Sequence, residues 1–428
     1  MEKEIICYYI KRLYDKKLTT MSGGNLSVKS ENSVYVTPSE IDKGNLKTDD
    51  IMEVLNTGEI YGKHKVTSEF PVHKAVYEMN HDMNAILHSH TSSILGFSTA
   101  HILPKVKLLA NVAYDLNGKI EIAKYADPGT KQLADETVKV LNGSNAVAIL
   151  ENHGLFIVDH TMEDCYDKLE NLDLVCRIES NIKKIGGTPK EVTEEQIDQY
   201  KNDVENNLTR SEEDNGGYQE ERKLLAELLK RLYSRGISTC KNACFSWRLK
   251  NHDILVNPDN TDVTTLKPED LVLIHDNKYC GEKKPHRDFL FHLSIYKNHD
   301  HINNVISSCP PYAMAYACSD QEYVTRVIAE CYGYLRNIEK KELKSRSEME
   351  ELLKGYFDDY HNTVLIQNYA CIVTGPHPLK TYDRMEVAES TAEAIIETFP
   401  VNKPVLMDQR AVEVIQKNCG IYPEKRSN

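Results

Sequence analysis

The spacing of apolar and polar positions predicts a chain that combines amphipathic helices with short buried strands. The stretch IICYYIKRLYDKKL (5–18) carries apolar residues at helical spacing among charged ones. In AILHSH (85–90), three apolar residues lead into a polar triplet, a pattern that predicts a strand. Because residues i and i+2 of a strand share one face, His88 and His90 should point the same way. Two imidazoles placed side by side either bind a metal or meet by chance.

The same patterns place two more polar residues at the ends of elements. The apolar run AVAIL (146–150) predicts a strand, and His153 follows it just before a glycine, so its side chain should face a cleft. Pro71 suits the first turn of a helix, which places Glu69 just ahead of that helix. Each residue also has a structural explanation, because lone histidines and helix N-terminal carboxylates are common without any chemistry.

The chain repeats itself, and the repeat defines its organisation. Several motifs occur twice, in the same order and with nearly constant spacing. They are KRLY at 11–14 and 230–233, LKTDDI (46–51) with LKPEDL (266–271), and PVHKAVY (71–77) with LFHLSIY (290–296). We therefore predict a tandem duplication, with a first copy at 1–205, a polar and acidic linker at 206–218, and a second copy at 219–428.

The second copy acts as an internal control for the first. Features present in both copies are expected to be scaffold, whereas polar features of the first copy alone are candidates for chemistry. Three histidines of the first copy are replaced together. The aligned pairs are His88 with Ser307, His90 with Cys309, and His153 with Tyr369. Since catalytic zinc takes three protein ligands and keeps one position open, His88, His90 and His153 are the predicted metal ligands.

The comparison of the two copies also bears on the roles of Glu69, the SGGN glycines and His73. Glu69 aligns with Asp288, so a carboxylate is kept there in a shorter form. The glycine pair of SGGN (22–25) has no counterpart in the second copy. Its backbone N–H groups can hold an anion, with a plain tight turn as the alternative. His73 persists as His292 and is therefore expected to be scaffold.

Composition narrows the classes of function. The 428 residues are 27% charged and 40% hydrophobic, which is typical of a globular protein long enough for two domains. A formal net charge of −13 argues against nucleic acid as the main partner. No apolar run approaches the roughly 18 residues of a membrane span, and the charged N-terminus is unlike a signal peptide. The eleven scattered cysteines are expected to be reduced thiols in a cytoplasmic protein.

Six motifs of the first copy point to a known family. They are SGGNLSV, VTPS, TSEFPVH, ILHSHTSS, YADPGT and ENHGLF, in family order and spacing. In combination they make the first copy resemble the class II aldolase/adducin family, and the second copy resembles it more faintly through its framework. The resemblance implies an α/β fold present twice, each copy a three-layer α/β/α sandwich around a mainly antiparallel central sheet.

The resemblance also implies roles for individual residues. A divalent metal, usually zinc but otherwise manganese or cobalt, is expected on His88, His90 and His153, with one ion per chain. Glu69 matches the acid/base glutamate of the family. The positions that bind phosphate in the family fall on Ser22, Gly24, Asn25, Thr67 and Ser68.

Retro-aldol cleavage suits this set of residues. The metal would act as a Lewis acid that stabilises an enediolate, and a nearby carboxylate would move the proton at the nucleophilic carbon. We therefore expect an aldehyde-lyase that cleaves a sugar or a sugar phosphate. Two alternatives stay open: an epimerase, dehydratase or decarboxylase on the same scaffold, and a non-catalytic, adducin-like interaction protein.

Two positions depart from the family pattern and bear on the substrate. Glu40 stands in TPSE where the family carries a glycine near the phosphate. Its carboxylate must point away, or the substrate is not phosphorylated there. The stretch KLLANVAYDLNG (107–118) lacks a tyrosine where a related enzyme keeps one, and Tyr114 lies several residues later.

The duplication also predicts an assembly. Members of this family resemble cyclic tetramers whose active sites lie between neighbouring subunits. A fused pair would supply two adjacent subunits, so we expect a homodimer that closes a pseudo-tetramer with two sites. A monomer whose halves pack on each other is the alternative.

The first prediction concerns metal content. Because the three histidines occur in one copy only, elemental analysis of the purified protein should find about one equivalent of divalent metal per chain. Changing His90→Ala should remove that metal. A content close to two equivalents would show that the second copy binds metal without the histidines.

Overall fold

The chain folds into two compact units. The computed structural model describes residues 1–143, 145–203, 208–213 and 216–421, apart from the side chain of Asp203. The first unit joins Met1–Val106 to Asp115–Cys176, and the second joins Lys107–Tyr114 to the chain from Arg177 onward. Residues 206, 207, 214 and 215 of the predicted linker lie outside the described residues. The domain bounds at 205 and 219 stay a prediction.

Eight strands form the sheet of the first unit. They are β1 (Asn25–Lys29), β2 (Ser33–Val36), β3 (Met52–Leu55), β4 (Ile60–Tyr61), β5 (Ala85–Ser89), β6 (Ile120–Ala123), β7 (Val147–Leu150) and β8 (Gly154–Asp159). Their order across the sheet is β4-β3-β2-β1-β5-β8-β7-β6. Neighbouring strands are antiparallel except β6 and β7, which run parallel.

The second unit contains another eight-stranded sheet with the same order. Its strands are β9 (Cys244–Arg248), β10 (Ile254–Val256), β11 (Val272–His275), β12 (Lys278–Cys280), β13 (Asn304–Ser308), β14 (Ile338–Lys341), β15 (Thr363–Ile366) and β16 (Ala370–Gly375). They lie in the order β12-β11-β10-β9-β13-β16-β15-β14. The fold is therefore present twice, as the duplication predicted. The three-layer arrangement around each sheet stays a prediction.

The described helices are distributed along the chain among these strands. They are α1 (Glu2–Asp15), α2 (Phe70–Met79), α3 (Ser92–Ala100), α4 (Ala110–Leu116), α5 (Lys131–Val140), α6 (Met162–Lys184), α7 (Glu194–Asp203), α8 (Gln219–Ser234), α9 (Phe289–Asn298), α10 (Pro311–Ala317), α11 (Ala329–Leu335), α12 (Arg346–Tyr356), α13 (Pro378–Thr398) and α14 (Gln409–Cys419). Helix α1 confirms the amphipathic N-terminal helix. None of the helices within the described ranges is long and apolar enough to cross a membrane.

Strand β5 lies near the middle of the first sheet and carries the residues that matter most. Every residue of this strand is buried. Ile86 packs with Val72 and Val76 of α2 and with Phe156 of β8 in one apolar cluster. The sheet register sets His88 opposite Asn25 on β1 and opposite Phe156 on β8. The strand thus sets His88 between a polar residue of β1 and an aromatic residue of β8.

Candidate metal centre

His88 is fixed in one orientation by its neighbours on β8. Its ring is fully buried and stacks on Phe156 with 4.2 Å between ring centroids. Its Nδ1 lies 2.9 Å from the backbone oxygen of Leu155. A carbonyl oxygen only accepts, so Nδ1 carries the proton and Nε2 keeps its lone pair. This is the tautomer that a histidine needs to bind a metal through Nε2.

The three predicted histidines converge. One ring nitrogen from each of His88, His90 and His153 lies within 4.8 Å of the others, and Nε2 of His88 is 2.9 Å from Nε2 of His90. Burial, with the nearby His88 and His153, lowers the pKa of His90 to about 4, so this imidazole is neutral at pH 7. Three ring nitrogens that share one small space suit a divalent cation. The donor set therefore fits a metal.

Two glycines make room for the ring of His90. A Cβ atom on Gly154 would lie 2.5 Å from the backbone oxygen of Ser89 and 2.9 Å from Cδ2 of His90. A Cβ atom on Gly23 would lie 2.9 Å from Nδ1 of the same ring. Carbon atoms do not approach that closely, so both positions require glycine. The glycines of SGGN and ENHG thus serve the packing of the site.

Glu69 lies against the histidines at the start of α2. Its side chain is buried, and its two carboxylate oxygens lie 3.1 Å from Nε2 of His88 and 3.1 Å from Nε2 of His153. Burial by itself raises the pKa of the carboxyl group, but the two histidines outweigh burial and hold that pKa well below its usual range. Glu69 is therefore ionised beside the nitrogens that would hold the metal.

A buried chain of hydrogen bonds orients Glu69. The Asn25 Nδ2 group donates to Glu69 Oε2 over 2.7 Å, which turns the Asn25 oxygen toward Nε2 of His73, 2.5 Å away. His73 therefore donates from Nε2, and its Nδ1 accepts from the Ser27 hydroxyl at 2.6 Å. Burial, and then His88, lower the pKa of His73 to about 3, which keeps it neutral. His73 positions the carboxylate through Asn25.

The sequence comparison missed this role because His73 persists in the second copy. There the corresponding His292 has its Nδ1 2.8 Å from the Ser246 hydroxyl, while its Nε2 lies 2.7 Å from the hydroxyl of Ser307. The framework is shared, as predicted, and only the atom at Nε2 differs. An alignment records that a residue is retained but not what its far side touches.

The five predicted phosphate-binding positions surround the same end of the sheet, and the structure uses some of them internally. Both groups of the Asn25 amide are already bonded within the protein. Gly24 is buried at φ +67°, and a Cβ there would lie 2.7 Å from the His88 oxygen. Thr67 is buried, with its hydroxyl 3.4 Å from the Glu69 backbone nitrogen. The Ser22 and Ser68 residues are exposed.

Two further residues, Lys43 and Glu40, lie near the SGGN turn. Lys43 is buried, and its Nζ donates to the Pro38 oxygen at 2.6 Å, while its backbone nitrogen bonds to the Met21 oxygen. Burial lowers the pKa of Lys43 to about 8. The second copy has Val263 at this position, so the copy comparison contained the signal for this cation. Glu40 is exposed at φ +56°, which explains why the family carries glycine there.

In the second copy, other side chains occupy the place that corresponds to the three histidines and Glu69. The Tyr369 hydroxyl donates to Asp288 over 2.5 Å, in place of the contact between His153 and Glu69. The Cys309 thiol points to the Tyr369 backbone oxygen at 3.1 Å. Across the described residues, the three histidines of the first copy form the single cluster of donors arranged for a metal.

Comparison with known proteins gives the family. The model of the "Class II Aldolase and Adducin N-terminal domain" matches residues 4–180 and again residues 223–396, well over half of the chain. The chain therefore belongs to the class II aldolase/adducin family and carries this domain twice.

Individual relatives correspond in length to one copy. The L-fuculose phosphate aldolase of Methanocaldococcus jannaschii is 35% identical over 173 residues, which are 40% of this chain and 92% of that protein. The 5-deoxy-D-ribulose 1-phosphate aldolase of Bacillus thuringiensis serovar kurstaki is 30% identical over 46% of this chain and 92% of its own length. A 3-oxo-tetronate 4-phosphate decarboxylase of Haemophilus influenzae is 27% identical over 41% and 86%. A solved L-fuculose 1-phosphate aldolase matches with 27% identity, 46% and 92% coverage, and a TM-score of 0.42.

The hydrogen-bonded chain behind Glu69 gives a prediction with a built-in control. Both His73→Phe and His292→Phe remove two buried hydrogen bonds from the same framework. Each should lower the unfolding temperature, because polar partners are left unsatisfied. His73→Phe alone should weaken Co(II) binding, by about tenfold, since it frees the residues that orient the site. Equal Co(II) affinities in the two variants, measured by titration of the absorption spectrum, would contradict the positioning role.

Proposed function

We propose that this protein is a metal-dependent aldolase, an aldehyde-lyase that cleaves a sugar phosphate by retro-aldol chemistry in its first copy. The observation that carries the proposal is the convergence of three imidazole nitrogens within 4.8 Å of one another, two of which lie 3.1 Å from the buried carboxylate oxygens of Glu69. The printed names of two relatives, both aldolases of sugar phosphates, support the substrate class. Family membership supports the reaction class.

In the proposed cleavage reaction, the histidines and Glu69 have different roles. When bound, a divalent cation supplies Lewis-acid stabilisation of the negative charge that develops on the substrate oxygens. His88, His90 and His153 would hold it, and a set of three nitrogen donors suits zinc, with manganese and cobalt as alternatives. In the synthetic direction, the Glu69 carboxylate takes the proton from the carbon that becomes the nucleophile, and in cleavage it returns that proton.

The phosphate of the substrate would bind beside this group. We assign it to the turn and the strand-to-helix junction that carry Ser22, Gly24, Thr67 and Ser68, with Asn25 contributing through its hold on Glu69. Backbone N–H groups and hydroxyls suffice for a dianion when they are pre-oriented. Glu40 is exposed, and the proposal requires its carboxylate to point away from the phosphate.

A decarboxylase is the second candidate, because one relative is named as a decarboxylase of a phosphorylated oxo acid. Loss of carbon dioxide also leaves an enediolate that a cation stabilises, and the same three histidines would serve it. The products separate the two reactions. An aldolase releases an aldehyde and a ketose fragment from a ketose phosphate, whereas a decarboxylase releases carbon dioxide from an oxo acid. A screen of both substrate classes with added metal decides between them.

We also propose that the protein is cytoplasmic. No disulfide joins any of the eleven cysteines, all of which lie within the described residues. Reduced thiols are typical of a reducing compartment.

Replacement of the carboxylate tests the assigned role of Glu69. Glu69→Gln should keep about one metal per chain but lower kcat by about 10² or more, the usual loss when an acid/base group is removed. Asp288→Asn, the same change at the aligned position of the second copy, is the matched control and should keep full turnover. If Glu69→Gln lost its metal, Glu69 would be a ligand and its acid/base role would be wrong.

The proposed homodimer gives a prediction that does not depend on activity. Two chains of 48.9 kDa should scatter light as one particle of about twice that mass, because a fused pair supplies two of the four subunits of a closed ring. A mass near that of one chain at working concentration would exclude the pseudo-tetramer.

A further inference from the structure

A charged pair on the first unit has no equivalent on the second. Lys168 of α6 forms an ion pair with Asp159, the last residue of β8. Burial lowers the pKa of Lys168, but its hydrogen bond to Asp159 and the nearby charge of Asp115 raise that pKa above the ordinary value. In the first copy, one half-buried cation is therefore balanced by two carboxylates.

The second copy inverts this arrangement. Helix α13 follows β16 there as α6 follows β8, and α11 corresponds to α4. The aligned pairs are Lys168 with Arg384, Asp159 with Gly375, Asp115 with Tyr334, and Asn117 with Arg336. One cation with two carboxylates has become two cations with neither of them. Asp383 beside Arg384 is shared with the first copy, where it is Asp167, so it does not restore the balance.

One of the N–H groups of Arg384 lacks a hydrogen-bond partner among the described residues. Its Nη1 donates to the Thr374 backbone oxygen at 2.5 Å. Its Nε is buried and has no hydrogen-bond partner among the described residues. Burial, followed by the charge of Arg336, lowers the pKa of Arg384 to about 10 even though Asp383 opposes the shift.

A chain of contacts connects Arg384 to Arg336. The Thr374 oxygen accepts from Arg384, and the Thr374 backbone nitrogen donates to the Asn362 oxygen. Arg336 in turn pairs with His361, the neighbour of Asn362, in an isolated β-bridge. It follows the last residue of α11 with φ +61°, a left-handed conformation that is uncommon for arginine. Its Nε is also buried, again with no hydrogen-bond partner in the part of the chain that the structure describes. Buried N–H donors that lack an acceptor are rare in folded proteins and call for an explanation such as a bound ion.

The surroundings of Arg336 and Arg384 include a basic and an aromatic side chain. The Lys380 Nζ lies 3.8 Å from the centroid of the Tyr334 ring. Arg336, Arg384 and Lys380 are each partly exposed to solvent. The cluster of Arg336, Arg384 and Lys380 is called the arginine site below.

We propose that the arginine site of the second copy binds a phosphate group, either free or as a phosphomonoester, between Arg336 and Arg384. Two guanidinium groups match the charge of a phosphate dianion, and their forked N–H groups match its oxygens. The ion would accept from the two buried Nε atoms and relieve the repulsion between the cations. Both arginines belong to the second unit and the metal-binding histidines to the first, so the proposal stands apart from the proposed lyase activity.

Calorimetric titration with inorganic phosphate, at constant ionic strength and with chloride and sulfate for comparison, tests the proposal on the full chain. Wild type should bind phosphate saturably at this site, and its unfolding temperature should rise with phosphate concentration. Arg336→Asn restores the residue that the first copy carries at this position, Asn117. Together with Arg384→Gln, it should weaken binding at this site at least tenfold. Lys278→Gln removes an exposed cation from β12 at the far edge of the same sheet and should change nothing.

The outcomes separate an ion site from a structural role. Because the first copy is itself proposed to hold a phosphate, the arginine site is identified by the one equivalent of bound phosphate and the part of the thermal shift that the double variant loses. If the double variant binds as much phosphate as wild type with the same thermal shift, the ion binds elsewhere and the proposal fails. It fails equally if wild type shows no saturable binding, because water then satisfies the two Nε atoms. A competing titration with glycerol 2-phosphate identifies the source. Tighter binding than inorganic phosphate indicates a phosphorylated metabolite, and weaker binding indicates the free ion.

Discussion

The candidate site depends on the burial of β5 between β1 and β8. Because both edges of this strand are paired, its register cannot slip by one residue without turning His88 to the opposite face. The Leu155 carbonyl then selects the proton-bearing nitrogen of that ring, and Phe156 prevents it from turning. Once Nε2 of His88 is fixed, the other two imidazoles and the carboxylate of Glu69 are arranged around one point in space.

The two copies show how one framework supports two outcomes. A serine, a histidine and a tyrosine are hydrogen-bonded at the same place in both sheets. In the first copy the histidine is hydrogen-bonded to Asn25, which is bonded to Glu69. In the second copy it is hydrogen-bonded to the hydroxyl of Ser307. The framework therefore stabilises the fold in both copies, while one residue at its end decides whether it also serves a carboxylate.

The second copy gives its buried carboxylate a partner without the histidines. A buried carboxylate needs a partner, because an isolated charge in the interior is costly. In the first copy His153 lies against Glu69, and in the second the Tyr369 hydroxyl donates to Asp288. The contact is preserved with groups that cannot hold a metal together. This explains why a degenerate copy keeps its shape.

The sequence by itself determined the duplication, the family, the three histidines and the carboxylate, because each is written in motifs that recur at a fixed spacing and can be compared between copies. Tertiary structure alone decided the rest. The orientation of Asn25 by His73 and the effect of the Arg336 charge on Arg384 involve residues that are far apart in the chain, and the burial of Lys43 depends on the elements that fold around it. Such contacts depend on which strands are neighbours and on which atom of a side chain faces which partner. Residue types and spacings record neither of these.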